Sequence, residues 1–307
     1  MPEGPYPVLI LTGEQGSAKS TLTRVLRRLI DPHEREMRSP PKDIRDFVTM
    51  VKHTFVLAFD NVSSLSGELS DTLCRLSTGH GAIGGRALYT DADEAGFKAV
   101  RPVILNGITD FVMRPDLIDR ALRVHLPAIE PEHRLDDETF WTAFNGALPQ
   151  ILGALYDAVA AAHAGYESVV IPPEKTIRLA SFMKWAVAAE PAMSFQSGSL
   201  IEALNSNWAQ AADYILEYDT VATALVSYLS ANAPFHGTLQ QLLAGLTPFR
   251  MMNDDTWPRT PRGLSNVLKR LAPVLRKKGI EIYNNGRQGH YNKIMYEIRI
   301  MEIGGNA

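Results

Sequence analysis

The first twenty residues constrain the fold more than any other stretch. Val8-Leu9-Ile10-Leu11-Thr12 is an apolar run rich in β-formers, and it ends at once on Gly13-Glu14-Gln15-Gly16-Ser17-Ala18-Lys19-Ser20. That octapeptide follows the pattern G-x-x-x-x-G-K-[ST], except that Ala18 stands where the second glycine is expected. With a helix read from Ser20 to Leu29, the segment is a strand, a glycine turn and a helix. In such a unit the backbone N–H groups of the loop and of the helix N-terminus surround a phosphate, and glycines permit the close approach. Lys19 then supplies a point charge to the β- and γ-phosphates, the Ser20 hydroxyl ligates magnesium, and Thr21 lines the site beside it. The alternative is an ordinary strand-to-helix turn of small residues. Ala18 raises a specific question, because a methyl group there crowds the loop or the phosphate if the backbone needs a positive φ.

Further apolar runs extend the pattern. Phe55-Val-Leu-Ala-Phe59 closes on Asp60 and Asn61, Pro102-Val-Ile-Leu105 closes on Asn106, and Ala121 to Leu126 is a fourth short run. Helices near Asp43 to Val51 and Leu69 to Leu76 separate them, so an α/β core of four or five parallel strands is expected. Asp60, at the end of a strand, is the best-placed carboxylate for a second magnesium contact, with a helix cap or turn residue as the alternative. Asn61 stands where ATPases often carry a glutamate; an amide cannot take a proton from the attacking water, although it can orient it. From Asp137 to Leu229 the period changes to 3.6, with Trp141, Phe144, Leu148, Ile151, Leu155 and Val159 marking one helical face. The last part reads as two short helices, a longer one from Pro261 to Lys278, and a ribbon of Ile280 to Tyr283 and Tyr291 to Ile300 turning at Asn284 to Gly289.

Composition removes several function classes. No apolar run approaches the ~20 residues needed to span a bilayer, and the start, Met1-Pro-Glu-Gly-Pro, lacks the basic residues of a signal peptide, so a cytoplasmic protein is expected. The single cysteine, Cys74, cannot form an intrachain disulfide and reads as buried filler. The histidines are scattered without metal-ligand spacing, and the four tryptophans fit helix packing. The net charge of −3 hides an asymmetry: from Ala231 onward there are 11 lysines and arginines against 5 acids, so that part carries +6 and the rest −9. The tail, not the body, is expected to meet a polyanion.

With these motifs in place, the order resembles superfamily-three helicases within the AAA+ class, closest to the ATPase domains of phage and plasmid primase-helicases. The residues that carry it are the Gly13 to Ser20 loop, Asp60-Asn61, Leu73-Cys-Arg-Leu-Ser-Thr-Gly-His80, Gly85-Arg-Ala-Leu-Tyr89, Phe97 and Arg101-Pro-Val-Ile-Leu-Asn106. The resemblance covers about residues 7 to 126 well, the helical part loosely and the tail by pattern alone. It implies an α/β fold: a P-loop AAA+ core with a parallel sheet (1–130), a helical lid domain (131–230) and a C-terminal winged helix (231–307). It further implies that Arg86 and Lys98, on or near a hairpin within Thr78 to Tyr89, touch single-stranded DNA, and that Asn106 is a polar sensor beside the γ-phosphate. Arg114-Pro-Asp-Leu-Ile-Asp-Arg120 resembles the segment that sends an arginine into a neighbouring subunit's site, with Arg120 first and Arg114 second. A solvated salt bridge with Asp116 or Asp119 is the alternative for either. Arg178 resembles a lid arginine that senses nucleotide, with a lone surface arginine as the alternative. Ala18 and Asn61 depart from the family's usual choices, and primase or initiator functions are expected from a separate protein.

The tail adds a nucleic-acid hypothesis. The helix from Pro261 carries Arg262, Lys269, Arg270, Arg276, Lys277 and Lys278 opposite an apolar side, and Arg287 and Lys293 lie on the ribbon. Such an array gives phosphate contacts that are salt-dependent and largely sequence-independent; a protein-docking module is the alternative reading. The expected function is a Mg-ATP-dependent DNA helicase or translocase, a homo-oligomeric ring and hexamer, in phage or mobile-element replication. The rival is a low-turnover, ATP-switched DNA-binding loader or adaptor, and a monomeric small-molecule kinase is disfavoured by the basic tail.

Overall fold

A computed structural model of the chain describes residues 4–79, 98–108, 114–250, 257–288 and 292–301. Its first part is a mixed α/β layer. The run Val8–Thr12 forms β1, followed by α1 (Lys19–Ile30), α2 (Ile44–His53), β2 (Leu57–Phe59), α3 (Gly67–Thr78), β3 (Val103–Gly107), α4 (Pro115–Ile118) and β4 (Ala121–His125). All four strands are parallel, in the order β2-β3-β1-β4. In-register pairing of Thr12 with Gly107 and His125 brings three strand ends to one edge, and the chain leaves Phe59 of β2 toward the same edge. Every residue of β2 and β3 is buried, as continuous apolar runs in a parallel sheet demand. Leu11, Val56, Ala58 and Ile104 form one of the clusters packed beneath α1.

Two local details depart from the sequence reading. The second strand pairs only over Leu57–Phe59, not from Phe55. Beside it, Arg38 forms an isolated parallel bridge with Phe59, and its carbonyl accepts from the Asp60 N–H at 2.9 Å, so the proline- and arginine-rich stretch covers that sheet edge. The opposite edge, β4, is covered by a side chain: the Asn207 amide accepts from Arg123 N–H at 3.1 Å and donates to its carbonyl at 2.6 Å. Each device occupies backbone groups that an open edge would expose.

The helical segment begins with α5 (Asp137–Gly165) and α6 (Ala180–Ala189), then enters α7 (Ser199–Tyr218). The expected apolar face of α5 holds only at its start. Phe144 is buried, but beyond Pro149 the buried positions are Ala158 and Ala162, which pack against Ala188 and Ala189. Leu155, Tyr156 and Val159 face solvent instead. Small residues allow two helices to approach closely, and that contact outweighs the larger hydrophobes in choosing the face.

Residue contacts divide the chain into two compact units, Met1–Trp208 and Ala209–Ala307. The second holds α8 (Thr220–Asn232), β5 (Phe235–Gly237), α9 (Leu239–Leu246), α10 (Pro261–Lys277), β6 (Ile280–Gln288) and β7 (Lys293–Ile300). Its antiparallel sheet has the order β5-β7-β6. β5 was not anticipated; α9, with a capping box at Thr238 and Gln241, and the short 3-10 helix Thr247–Phe249 after it occupy the described part of the stretch where two short helices are expected. The ribbon also differs: β6 continues through the expected turn at Asn284, with a register shift between Asn284 and Arg287. Gly286, at φ 71, absorbs this irregularity as a bulge, so the ribbon reverses after Gln288. No helix among the described residues is long and apolar enough to cross a membrane.

Candidate functional site

The carboxyl ends of parallel strands are where open α/β sheets place ligands. Here the loops after β1, β2 and β3 enclose a cavity of about 440 Å³, lined by the 15–21 segment, Asp60 and Asn61, and Asn106 to Ile108. The loop after β1 is shaped by backbone constraints. Gly13 has φ +151, and a Cβ there would lie 2.3 Å from the Leu126 carbonyl oxygen, so only glycine fits. Gly16 has φ +84, and its carbonyl accepts from Ile129 N–H at 3.2 Å. Ala18, the N-cap of α1, takes φ 57 and ψ 24. The positive φ that the sequence made a concern is therefore present, and the methyl group bears a left-handed backbone.

Lys19 is buried and folds back on its own loop, donating to the carbonyls of Gly13 at 2.8 Å and Glu14 at 2.7 Å and to Ser17 Oγ at 3.2 Å. Ser20 Oγ donates to Asp60, 3.2 Å from Oδ1 and 3.5 Å from Oδ2. These residues are 40 positions apart in sequence, and the parallel sheet brings them together. A hydroxyl and a carboxylate within reach of each other are the hard-oxygen donors that magnesium takes. No cluster of three or more His, Cys, Asp or Glu among the described residues could hold a metal ion. Ser20 and Asp60 could thus supply part of the shell of a cation, not all of it.

Asn61 has φ 53, a left-handed conformation that asparagine tolerates better than most residues. Its N–H donates to Asp60 Oδ1 and to Asn106 Oδ1, both at 2.9 Å. Asn106, 1% exposed, uses its Nδ2 on Thr23 Oγ1 at 3.2 Å, so both ends of its amide are engaged within the protein. The expected loop residues, Lys19, Ser20, Thr21, Asp60, Asn61 and Asn106, thus share one cavity.

The proposed arginines lie elsewhere. Arg120 immediately precedes β4, at the opposite end of the sheet, about 17 Å along the strands from the level of Thr12, where the loop begins, at ~3.3 Å per residue. Its Nη1 donates to the Asp116 carbonyl and to Cys74 Sγ. Arg114 pairs with Asp71 at 2.8 Å and Asp116 at 3.4 Å, and donates to Gly67 O at 2.8 Å. Arg178 pairs with Asp119 at 3.4 Å. Cys74 is buried as expected, and burial, reinforced by Asp116, pushes its thiol up to about 11. Arg86 and residues 80–89 of the hairpin expected around it lie outside the described residues, whereas Thr78, expected in that hairpin, ends α3 with Gly79 as its cap; Lys98 is exposed.

Two neighbours of the loop were missed by sequence reasoning. Arg134 anchors its Nε on Ile129 O at 2.9 Å and reaches over Gly16, within 3.5 Å of where a Cβ would stand. Thr23 is fully buried under Lys19. Neither carries a local motif, because what ties each to the site, Gly16 for Arg134 and Asn106 for Thr23, is remote in sequence.

In the second unit, α10 buries Leu264, Leu268, Leu271, Val274 and Leu275. Arg262, Lys269, Arg270, Arg276 and Lys277 occupy exposed positions of the helix, and Arg287 is exposed on β6. Arg276 pairs with Glu281 at 3.4 Å, and Lys278 pairs with Asp213.

Residues 1–211 match the family model described as actinomycete integrative conjugative element replication protein, and residues 221–303 match that of its C-terminal domain. The chain belongs to this family. It is therefore a replication protein of a mobile element. No curated protein matches it. Among solved structures, a small-molecule complex of JCV helicase aligns with 12% identity and a TM-score of 0.29, covering 73% of this chain and 56% of that one. An apo structure of the NrS-1 C terminal region aligns with 14% identity and a TM-score of 0.36, covering 97% of this chain and 67% of that one. The replication protein thus spans a little over half of the helicase chain it matches.

Proposed function

We propose that this replication protein is a magnesium-dependent ATPase that acts on DNA as a ring-forming helicase or translocase. The observation that carries the reading is the Ser20 to Asp60 contact at 3.2 Å beside Lys19, on a glycine loop at the carboxyl edge of a parallel sheet. In this reading Gly13 to Ser20 is a P-loop. Triphosphate would exchange the loop carbonyls and the Ser17 hydroxyl for phosphate oxygens as partners of the Lys19 amine, while Ser20 and Asp60 hold magnesium. The bound cation would neutralise charge on the β- and γ-phosphates. Asn61 and Asn106, which line the cavity, would stand at its terminal-phosphate end, and Asn61 would orient water without taking its proton.

Arg120 or Arg114 would complete the site of an adjacent copy, since the sheet separates Arg120 from its own loop. Such a finger makes turnover depend on assembly. Arg178 would report nucleotide from the helical lid, in a core, lid and winged-helix organisation with boundaries near 130 and 230. Arg86 and Lys98 would touch the translocated strand. The second unit, read as a winged helix, would meet DNA through Arg262, Lys269, Arg270, Arg276 and Arg287. A separate primase or initiator would supply the remaining steps of replication.

The second reading is a low-turnover, ATP-switched DNA-binding loader or adaptor, favoured by the strained Ala18 and by an amide at position 61. ATP hydrolysis with and without single-stranded DNA, over a range of protein concentrations and beside Lys19→Ala, separates the two. Stimulation that rises steeply with concentration and vanishes in the variant supports the ring motor. ATP binding with negligible turnover supports the adaptor, and absence of binding removes both.

A further inference from the structure

The site contains a polar chain with one consistent direction. Thr23 Oγ1 donates its single proton to the Lys19 carbonyl at 2.9 Å, and the same oxygen lies 3.2 Å from Asn106 Nδ2. Having used its proton on a group that can only accept, the hydroxyl can only accept from Asn106. That forces Nδ2 toward Thr23 and Oδ1 toward the Asn61 N–H, which can only donate, at 2.9 Å. Thr23 and Asn106 are almost wholly buried, at 0% and 1% exposure, so water cannot readily replace a missing partner. The chain runs from the backbone of Lys19 to the turn that carries Asp60 and Asn61. Asn61 needs such support, because it sits at φ 53, and its N–H also restrains Asp60 Oδ1 at 2.9 Å.

We infer that Thr23 is a positioning residue: its hydroxyl fixes the Asn106 amide and, through it, the left-handed Asp60-Asn61 turn relative to the Lys19 loop. The inference rests on the nucleotide reading of the site and adds a residue to it. Thr23 does not line the cavity, and its hydroxyl meets the Gly13 to Ser20 segment at the Lys19 carbonyl, within α1, not at the N–H groups that would cradle phosphate. Loss of the hydroxyl therefore acts on the geometry of Asp60 and Asn61, where water and the cation are placed for turnover, more than on nucleotide capture. Valine has the same shape without the hydroxyl, whereas serine keeps the hydroxyl.

The test is Thr23→Val and Thr23→Ser in the full chain, measuring kcat, the affinity for a fluorescent ATP analogue with and without magnesium, and the melting temperature. In Thr23→Val, kcat is expected to fall about tenfold to a hundredfold. Magnesium-free affinity should stay within about threefold while the tightening conferred by magnesium shrinks, and Thr23→Ser should restore most of both. Turnover of Thr23→Val close to wild type overturns the inference. So does a loss of kcat matched by losses of magnesium-free affinity and melting temperature that serine does not rescue, because that pattern assigns Thr23 to packing alone. A wild-type protein that neither binds nor hydrolyses ATP overturns the reading of the site itself, and the inference with it.

Discussion

The cavity at the strand ends of the first unit and the C-terminal unit handle polar side chains in opposite ways. Around the loop, the polar groups are bonded to one another: Lys19 to two carbonyls and a hydroxyl, Ser20 to Asp60, Asn106 to Asn61 and Thr23. On α10 the cations face water, and the ion pairs found among the described residues lie at its C-terminal end, where Arg276 meets Glu281 and Lys278 meets Asp213. A ligand at the first region must exchange existing bonds in a fixed geometry, which gives selectivity. A polyanion at the second displaces only water and counterions, which gives affinity that depends on salt.

The largest expected effect tests whether the two regions are separable. Lys19→Ala should reduce ATP turnover about a thousandfold while leaving the affinity of the tail for duplex DNA within about twofold. Equal loss of both would break the distinction. Next comes stability in the first unit. Arg27 is 1% exposed and donates to Asp31 at 2.7 Å and to Val56 O at 2.5 Å. Asp31→Asn would leave a buried guanidinium without its counter-charge and should cost about 3 kcal/mol, read by denaturant or thermal melting. By contrast, Glu281→Gln on the solvent side of the second unit should cost less than about 0.5 kcal/mol.

The same pair predicts a pH dependence. Burial raises the Asp31 carboxyl, but the Val56 N–H and Arg27 outweigh it and hold the group below its ordinary value. A depressed carboxylate contributes stability above the unfolded value, near pH 4, and loses it as pH falls through the folded value. Wild-type protein should therefore lose stability progressively below about pH 4, and Asp31→Asn should show a shallower acid limb. An acid limb unchanged by the substitution would assign the loss to other carboxylates.

A smaller effect belongs to the tail. Lys269→Ala with Arg270→Ala should weaken DNA binding about tenfold at low salt and reduce the slope of log affinity against log salt by about two. ATPase activity without DNA should not change. An unaltered slope would favour the docking-module reading of α10.

Legibility in the sequence depended on the range of each interaction. The three polar strand ends were readable because buried apolar runs stop at Thr12, Phe59 and Leu105, and the parallel order then gathers the loop residues beyond those ends. Thr23 was not, because it reads as one more helix residue and its partner Asn106 lies 83 positions away. β5 escaped notice for a similar reason: three residues become a strand only by pairing with Glu297 and its neighbours. Asn284-Asn-Gly fits either a turn or a bulge, and pairing of Arg287 with Ile294 decides it. On α5 the period was visible but the face was not, since hydropathy ranks Leu155 above Ala158 while close helix packing favours the alanine.

The smallest effect is the most local. Gly13 and Ala18 bracket one loop, and the structure assigns them opposite tolerances. At Gly13 a Cβ would meet the Leu126 carbonyl at 2.3 Å, so Gly13→Ala should disrupt the loop. At Ala18 a Cβ already exists on a left-handed backbone, which costs about 1 kcal/mol relative to glycine. Glycine also makes the unfolded chain more flexible, at a cost of about 0.4–1 kcal/mol, so the two terms nearly cancel. Ala18→Gly should thus shift global stability by no more than about 0.5 kcal/mol while tightening nucleotide binding a few-fold, because the methyl no longer crowds the entering phosphate. Calorimetric titration with ATP and a melting curve read the two quantities separately. Unchanged affinity would show that the loop accommodates the methyl group, and the departure at position 18 would then carry no argument for a low-turnover protein.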